Sequence, residues 1–166
     1  MSFISEYDEL TRLLNRRGFI EKAYSLYEKS EGKRAFMIFG DLDHLKQIND
    51  IYGHAEGDFA IKNIAERFRN ILPDDAINGR IGGDEYVSFL LSDEPGFKER
   101  IESEFATAGR EFNENSDKPY YVEMSVGILE FICDSKVSFE EIMKRSDRLL
   151  YEAKENRRTN VQKQTL

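Results

Sequence analysis

The residues best placed to do chemistry are four carboxylates in two short stretches. The first stretch is Phe36-Met37-Ile38-Phe39-Gly40-Asp41-Leu42-Asp43, an apolar run ending in two acids spaced by two. Period-2 geometry puts Asp41 and Asp43 on one face and Leu42 on the other. A strand this apolar is expected to be central and buried on both sides. A carboxylate at the end of such a strand is costly unless something compensates it. A divalent cation is the natural compensation, and Mg²⁺ combines one or two carboxylates with substrate phosphates. The alternative for Asp43 is helix capping, because a helix is expected directly after it, and that reading is taken for Asp43 but not for Asp41. The second stretch is Arg80-Ile81-Gly82-Gly83-Asp84-Glu85-Tyr86. A Gly-Gly pair between apolar runs signals a tight turn, since glycine enters positive φ without a Cβ penalty. Bare glycines also let a flat ligand come close to the backbone. Adjacent strand residues face opposite ways, so Asp84 and Glu85 are expected to do different jobs. If the hairpin lies beside the first strand, Asp41 and Asp84 can share a metal.

The elements that must position these groups follow from periodicity. Residues 5–30 have helical spacing with a break near Asn15-Arg16-Arg17-Gly18, and residues 35–42 form a strand. A helix over 44–52 stops at Gly53. A longer amphipathic helix runs from Asp58 to Leu72, through Ile61, Ile64, Ala65, Phe68 and Ile71, and Pro73-Asp74-Asp75 breaks it. Hairpin strands are expected over 76–81 and 85–91, a helix from Phe97 to Asn113 and a further strand over 120–131. The last helix spans 138–154, with Ser138 as N-cap and Glu141 three residues on, a capping-box pattern. The basic tail, 156–166, is expected to fray. Helices interleaved with a hairpin predict an α+β fold, a central, mostly antiparallel sheet surrounded by helices.

Composition narrows the class. With 166 residues, 40% of them hydrophobic and 34% charged, the chain is expected to be one folded domain over 1–166 after a short lead-in at 1–6. Its net charge of −8 argues against a nucleic-acid surface built on phosphate contacts, but not against a nucleotide held by a metal and a few basic residues. No apolar run approaches the ~20 residues of a membrane span. The first residues lack the basic and apolar regions of a signal peptide. The one cysteine, Cys133, has no internal partner, which fits a reducing cytoplasm.

Several further blocks stand in an order and spacing that carry a resemblance. They are Asp8-Glu9-Leu10-Thr11 with Asn15-Arg16-Arg17; Asp41-Leu42-Asp43 through Lys46; Ile48-Asn49-Asp50; Tyr52-Gly53-His54; and Gly57-Asp58. After the Gly-Gly turn come Ser125-Val126-Gly127-Ile128 and Asp147 through Tyr151-Glu152-Ala153-Lys154. Over nearly its whole length the chain resembles the GGDEF domain of diguanylate cyclases, whose fold is similar to polymerase palms and class III nucleotide cyclases. The resemblance implies condensation of two GTP molecules to cyclic di-GMP with release of pyrophosphate. It implies that Asp41 and Asp84 bind Mg²⁺ or Mn²⁺, two ions per site, with the Leu42 carbonyl as a further ligand. Asp84 is then the candidate base for the ribose 3′-hydroxyl, and Glu85 supports the metal site. Asn49 and Asp58 recognise the guanine edge, His54 lies beside the nucleotide, and Gly82 and Gly83 line it. Lys46, Lys154 and Arg158 hold phosphates. Each domain holds one GTP, so the partner is a second GGDEF domain, face to face with the first.

Residue chemistry agrees with these roles. Asn offers both donor and acceptor, and Asp accepts two donors, which suits the guanine edge. Phosphodiester formation needs charge neutralisation and in-line positioning more than covalent help. Other readings stay open: Asn49 as a helix-end residue before a Gly53 cap, His54 as structural, and Lys154 and Arg158 as cations favoured at a helix end. The chain departs from the family pattern at Leu45 and Tyr86, each in place of Phe, and at Arg157 in place of Gly. It also has Pro73 and Ala76 where the family's inhibitory Arg-x-x-Asp motif would stand. Two alternatives accompany the cyclase: a catalytically silent GTP-binding module, and a cyclase with an adenine-containing product.

Overall fold

A computed structural model describes the backbone of residues 5–165 and the side chains of residues 5–156. In chain order the elements are α1 (Arg16–Glu28), β1 (Arg34–Leu42), α2 (Leu45–Tyr52), α3 (His54–Ile71), β2 (Ile77–Arg80), β3 (Glu85–Leu91), α4 (Phe97–Asn115), β4 (Met124–Ile132) and α5 (Phe139–Thr165). The four strands form an antiparallel sheet in the order β2-β3-β1-β4, so the expected fold class is the observed one. β1 is the central strand the apolar run predicted, buried at every position after Arg34.

The alternation of β1 divides the core between two faces. Phe36, Ile38 and Leu42 pack with Ile61, Ile64 and Phe68 of α3 and Ile101 and Phe105 of α4. Met37 and Phe39 pack with Phe19 and Ala23 of α1 and Ile142 and Leu150 of α5. Each face is closed by helices, which leaves the strand ends as the place where polar groups can meet solvent.

Some expected boundaries are corrected. Residues 5–15 are not helical. Tyr7 bridges Leu14, and Leu14 bridges Gly79 of β2. The Asp8 carboxylate accepts from the Thr11 amide (2.9 Å) and hydroxyl (2.7 Å), and Arg12 takes a left-handed φ of 64°. Local side-chain bonds of this kind compete with a helix and win here. α1 then starts cleanly, capped by the Asn15 side chain on the Gly18 amide (2.9 Å). α3 begins at His54, earlier than Asp58, because Gly53 (φ 95°) both ends α2 and starts α3. β4 begins at Met124, not residue 120. Ser138 does accept from the Glu141 amide (3.1 Å), as the capping pattern predicted. α5 does not stop at residue 154: its backbone is helical to Thr165, through a stretch with no Gly or Pro to break it. Residues 1–4, which include the start of the lead-in, lie outside the described residues, as do the side chains of Arg157 and Arg158.

Candidate active site

Asp41 is the next-to-last residue of the central strand, on the face covered by α5, and Asp84 sits just before β3. The Leu42 amide donates to the Asp84 carbonyl (2.8 Å), which locks the two strand ends together. Asp41 is 7% exposed. Burial is the largest influence on its carboxyl and pushes the pKa up; Lys154 pulls it down, and the Asp84 carboxylate pushes it up again, leaving it at about 6. The Lys154 ammonium bonds the Asp41 carboxylate directly. Two acids thus face each other at a partly buried point, with one ammonium to offset them.

This donor set suits a hard divalent cation. Among the described residues no group of three or more His, Cys, Asp or Glu side chains is arranged as a closed metal cage. Two carboxylates would leave most coordination positions of such an ion to other oxygen ligands, which is how Mg²⁺ is commonly held. Glu85 is opposite Asp41 in the β1–β3 register, so the two lie on one face of the sheet. It folds back over Gly82, where an added Cβ would lie 3.2 Å from its carboxylate carbon.

The Gly-Gly turn differs from the expectation in its reason. Neither Gly82 nor Gly83 takes a positive φ. At Gly83 an added Cβ would meet nothing within 4 Å. Neither backbone conformation nor packing demands a glycine there, so the open space in front of it is the feature a ligand can use. The turn is held by Arg80, which donates to the Gly83 carbonyl (3.2 and 2.8 Å) and to both Asp8 oxygens (3.1 and 3.2 Å). Sequence reasoning named Asp8 and Arg80 but gave neither a role. Their link is 72 residues long and had no local signal.

Asp43 is not a helix cap. The N-cap of α2 is His44, which takes a left-handed φ of 61° and makes no side-chain capping bond. Asp43 instead accepts from the Ser125 hydroxyl (3.2 and 3.1 Å), and Ser125 is the β4 partner of Asp41. A non-glycine left-handed residue costs energy and tends to persist where the surroundings impose it, often at functional sites. His44 is such a residue, one step past Asp43, and periodicity gave no sign of it.

The remaining site residues lie on α2 and α3, which leave from the same end of β1. The Asn49 side chain rests against Gly57, where a Cβ would fall 1.7 Å from its Oδ1. Gly57 thus leaves the room the Asn49 side chain occupies, and any larger residue there would displace that side chain. Asp58 and His54 are exposed on the first turns of α3. Lys46 is exposed and pairs with Asp50 (3.5 Å), not with the carboxylates. The Tyr86 hydroxyl donates to the Ile61 carbonyl (2.8 Å), so the departure from Phe adds a buried bond between β3 and α3. Leu45 packs partly buried against the core.

An antiparallel sheet with helices on both faces and a carboxylate pair where its two middle strands meet is the palm-like arrangement of nucleotide cyclases. The chain belongs to the GGDEF family: the family's sequence model, "Diguanylate cyclase, GGDEF domain", matches residues 5–160. It is 33% identical over 163 residues to diguanylate cyclase VdcA of Vibrio cholerae, covering 93% of this chain and 46% of that protein. It is 31% identical over 169 residues to the cyclic di-GMP phosphodiesterase NbdA of Pseudomonas aeruginosa, covering 96% of this chain and 20% of that protein. The chain thus spans less than half the length of these relatives. Among solved structures, diguanylate cyclase SiaD of Pseudomonas aeruginosa, in complex with its activator SiaC, matches with a TM-score of 0.80 at 27% identity, over 92% of this chain and 59% of that one. The GGDEF domain of DgcB from Caulobacter crescentus, in complex with c-di-GMP, shares the fold with a TM-score of 0.80 at 22% identity, over 94% of each chain.

Proposed function

We propose that this chain is a diguanylate cyclase, which joins two GTP molecules into cyclic di-GMP and releases two pyrophosphates. The observation that carries the reading is the meeting of Asp41 and Asp84 beside the Leu42 backbone, at the end of a buried strand, in front of open space at Gly83. Asp41, Asp84 and the Leu42 carbonyl would hold the divalent ions, Mg²⁺ or Mn²⁺, with Glu85 in support. When bound, those ions neutralise charge on the attacking 3′-oxygen and on the leaving pyrophosphate. Asp84 takes the proton of the ribose 3′-hydroxyl. Asn49 and Asp58 accept and donate at the guanine edge, with His54 beside it and Gly82 and Gly83 making room. Lys154, Lys46 and Arg158 hold phosphate oxygens. Lys154 bonds Asp41 here, and its ammonium would be available to a phosphate oxygen if a divalent ion offset the Asp41 charge. The second GTP comes on a second copy of the chain, facing the first.

The test is to incubate the purified chain with Mg²⁺ and GTP, and separately with ATP, and to identify the products. Cyclic di-GMP from GTP alone supports the reading. GTP bound and returned unchanged would make the chain a silent binding module, and an adenine-containing product would move the base assignment. Asp58→Ser in the same assay is expected to narrow the preference for GTP over ATP, because unpaired guanine donors cost roughly 1–3 kcal/mol each. An unchanged preference would remove Asp58 from the base site.

A further inference from the structure

The loop between α4 and β4, residues 116–123, is fastened to the first turns of α3 by a cluster of contacts. Lys118 Nζ donates to both oxygens of Glu56 (2.8 and 3.1 Å) and lies 4.4 Å from the centre of the Phe59 ring. The Tyr120 hydroxyl donates to Glu56 Oε2 (2.7 Å). Those bonds hold the Glu56 carboxyl below its ordinary range. From the other side, the Tyr52 hydroxyl at the end of α2 donates to the Pro119 carbonyl (3.1 Å), and its ring lies 5.2 Å from that of Tyr120. The loop is itself anchored from within. Val122 exchanges two hydrogen bonds with the Asn113 side chain (2.9 and 3.2 Å), and its carbonyl also accepts from the buried guanidinium of Arg67 (3.2 Å).

The position of the grip is what matters. Lys118 holds Glu56 and Phe59, which bracket Asp58. Tyr52 is three residues after Asn49. The fastened turn is the one against which Asn49 rests through Gly57. Partly exposed ion pairs contribute little to stability, because two flexible side chains must be ordered and water screens them. Several such contacts on one turn nevertheless fix where that turn lies, and a displacement of an ångström at a binding site is costly to function.

We propose that Lys118 and Tyr120 are positioning residues for nucleotide recognition: acting through Glu56, they strap the α2–α3 junction so that Asn49 and Asp58 present a fixed pair of groups to the purine edge. The inference rests on the proposed GTP reading and adds to it the part of the fold that sets base affinity and selectivity. Neither residue touches the nucleotide.

The experiment is calorimetric titration of the full chain with GTP and ATP analogues carrying a methylene bridge between the α- and β-phosphates, alongside steady-state kinetics. Lys118→Met and Tyr120→Phe are expected to weaken the GTP analogue about tenfold, an energy of about 1.4 kcal/mol. They are also expected to narrow the GTP-over-ATP ratio and to raise KM more than they lower kcat. Lys118→Arg, which keeps the charge and the bond to Glu56, is expected to stay near the wild type. A loss that is only structural would lower Tm and the active fraction while leaving the Kd of the folded fraction unchanged, and that result overturns the proposal. So does unchanged GTP affinity in both variants, or an equal loss in Lys118→Arg. A wild-type chain that binds the GTP analogue normally, with variants that match it, defeats the strap alone. A wild-type chain that binds no GTP analogue defeats the strap together with the reading beneath it.

Discussion

Asp41 has burial, a second acid and a lysine for surroundings, and each bears on what a substitution would do. A neutral amide cannot offset a divalent charge, so Asp41→Asn and Asp84→Asn are each expected to abolish cyclic di-GMP formation, by on the order of 10²-fold or more. Circular dichroism should show the fold intact, because removing one member of a like-charge pair removes a cost. Near wild-type turnover in either variant would refute the metal assignment. Asp8 shows the opposite balance. Burial raises its carboxyl, but the Thr11 bonds and the Arg80 guanidinium outweigh that and bring it below the ordinary 3.8. A group depressed in the folded state contributes stability above its unfolded pKa and loses it as pH falls through the folded one. Asp8→Asn is therefore expected to destabilise the chain at pH 6–7, by about 1.5–3 kcal/mol for a charged hydrogen-bond network. The gap from the wild type should close as pH falls below about 4. Denaturant melts across that range read it directly, and a gap that stays constant with pH would show that the Asp8 charge does not hold Arg80.

At the scale of elements, the placing of Lys154 over Asp41 depends on how closely α5 lies on β4. At Gly127 an added Cβ would fall 2.6 Å from the Leu150 amide nitrogen and 2.9 Å from the Leu149 carbonyl carbon. These are backbone atoms, so no rotamer change relieves the clash and the helix itself must shift. Gly127→Ala is expected to cost about 1–3 kcal/mol as an overpacked site. It should also reduce turnover beyond what the lost stability accounts for, because Lys154 is carried by the same helix. Thermal melts and activity measured well below Tm separate the two effects. Full activity with a normal Tm would mean that the α5–β4 contact yields to an added methyl group at no cost. Tyr86, by contrast, shows an element contact that a family departure strengthens, since its ring stacks on Phe68 (5.6 Å) while its hydroxyl reaches α3.

At the scale of the whole molecule, the resemblance raises the question of product inhibition through an Arg-x-x-Asp motif. Pro73 and Ala76 stand where Arg and Asp would grip the product, and the Ala76 amide is turned inward to the Pro73 carbonyl (3.0 Å). Pro73 offers no charge and no backbone donor, and Ala76 no side-chain hydrogen bond. The flanking Asp74 and Asp75 repel a dianionic dinucleotide, weakly, because exposed charges are screened over ~8–10 Å. Cyclic di-GMP is therefore expected to compete with GTP and to bind tightly nowhere else. Calorimetric titration with the active site blocked by a non-hydrolysable GTP analogue checks this, and tight residual binding would show that another surface has taken the inhibitory role. Among the described residues no helix is long and apolar enough to cross a membrane.

What the sequence determined by itself is whatever lies within a few residues of a signal. The apolar run made β1 central, Gly53 parted two helices, Ser138 capped the last one, and the order of the short blocks marked the family. Local reading failed where another local force competed: the helical spacing of residues 5–15 lost to the Asp8 side chain, and Tyr120 and Tyr121 sit in a fastened loop, not in a strand. Tertiary structure decided the pairings across the chain. Asp43 meets Ser125 at a separation of 82 residues, and Lys154 meets Asp41 at 113. Periodicity tells which face a residue lies on, but not which residue of a distant element faces it. Sheet order and helix packing set that, and here they bring one lysine, one serine and two aspartates to the same strand ends.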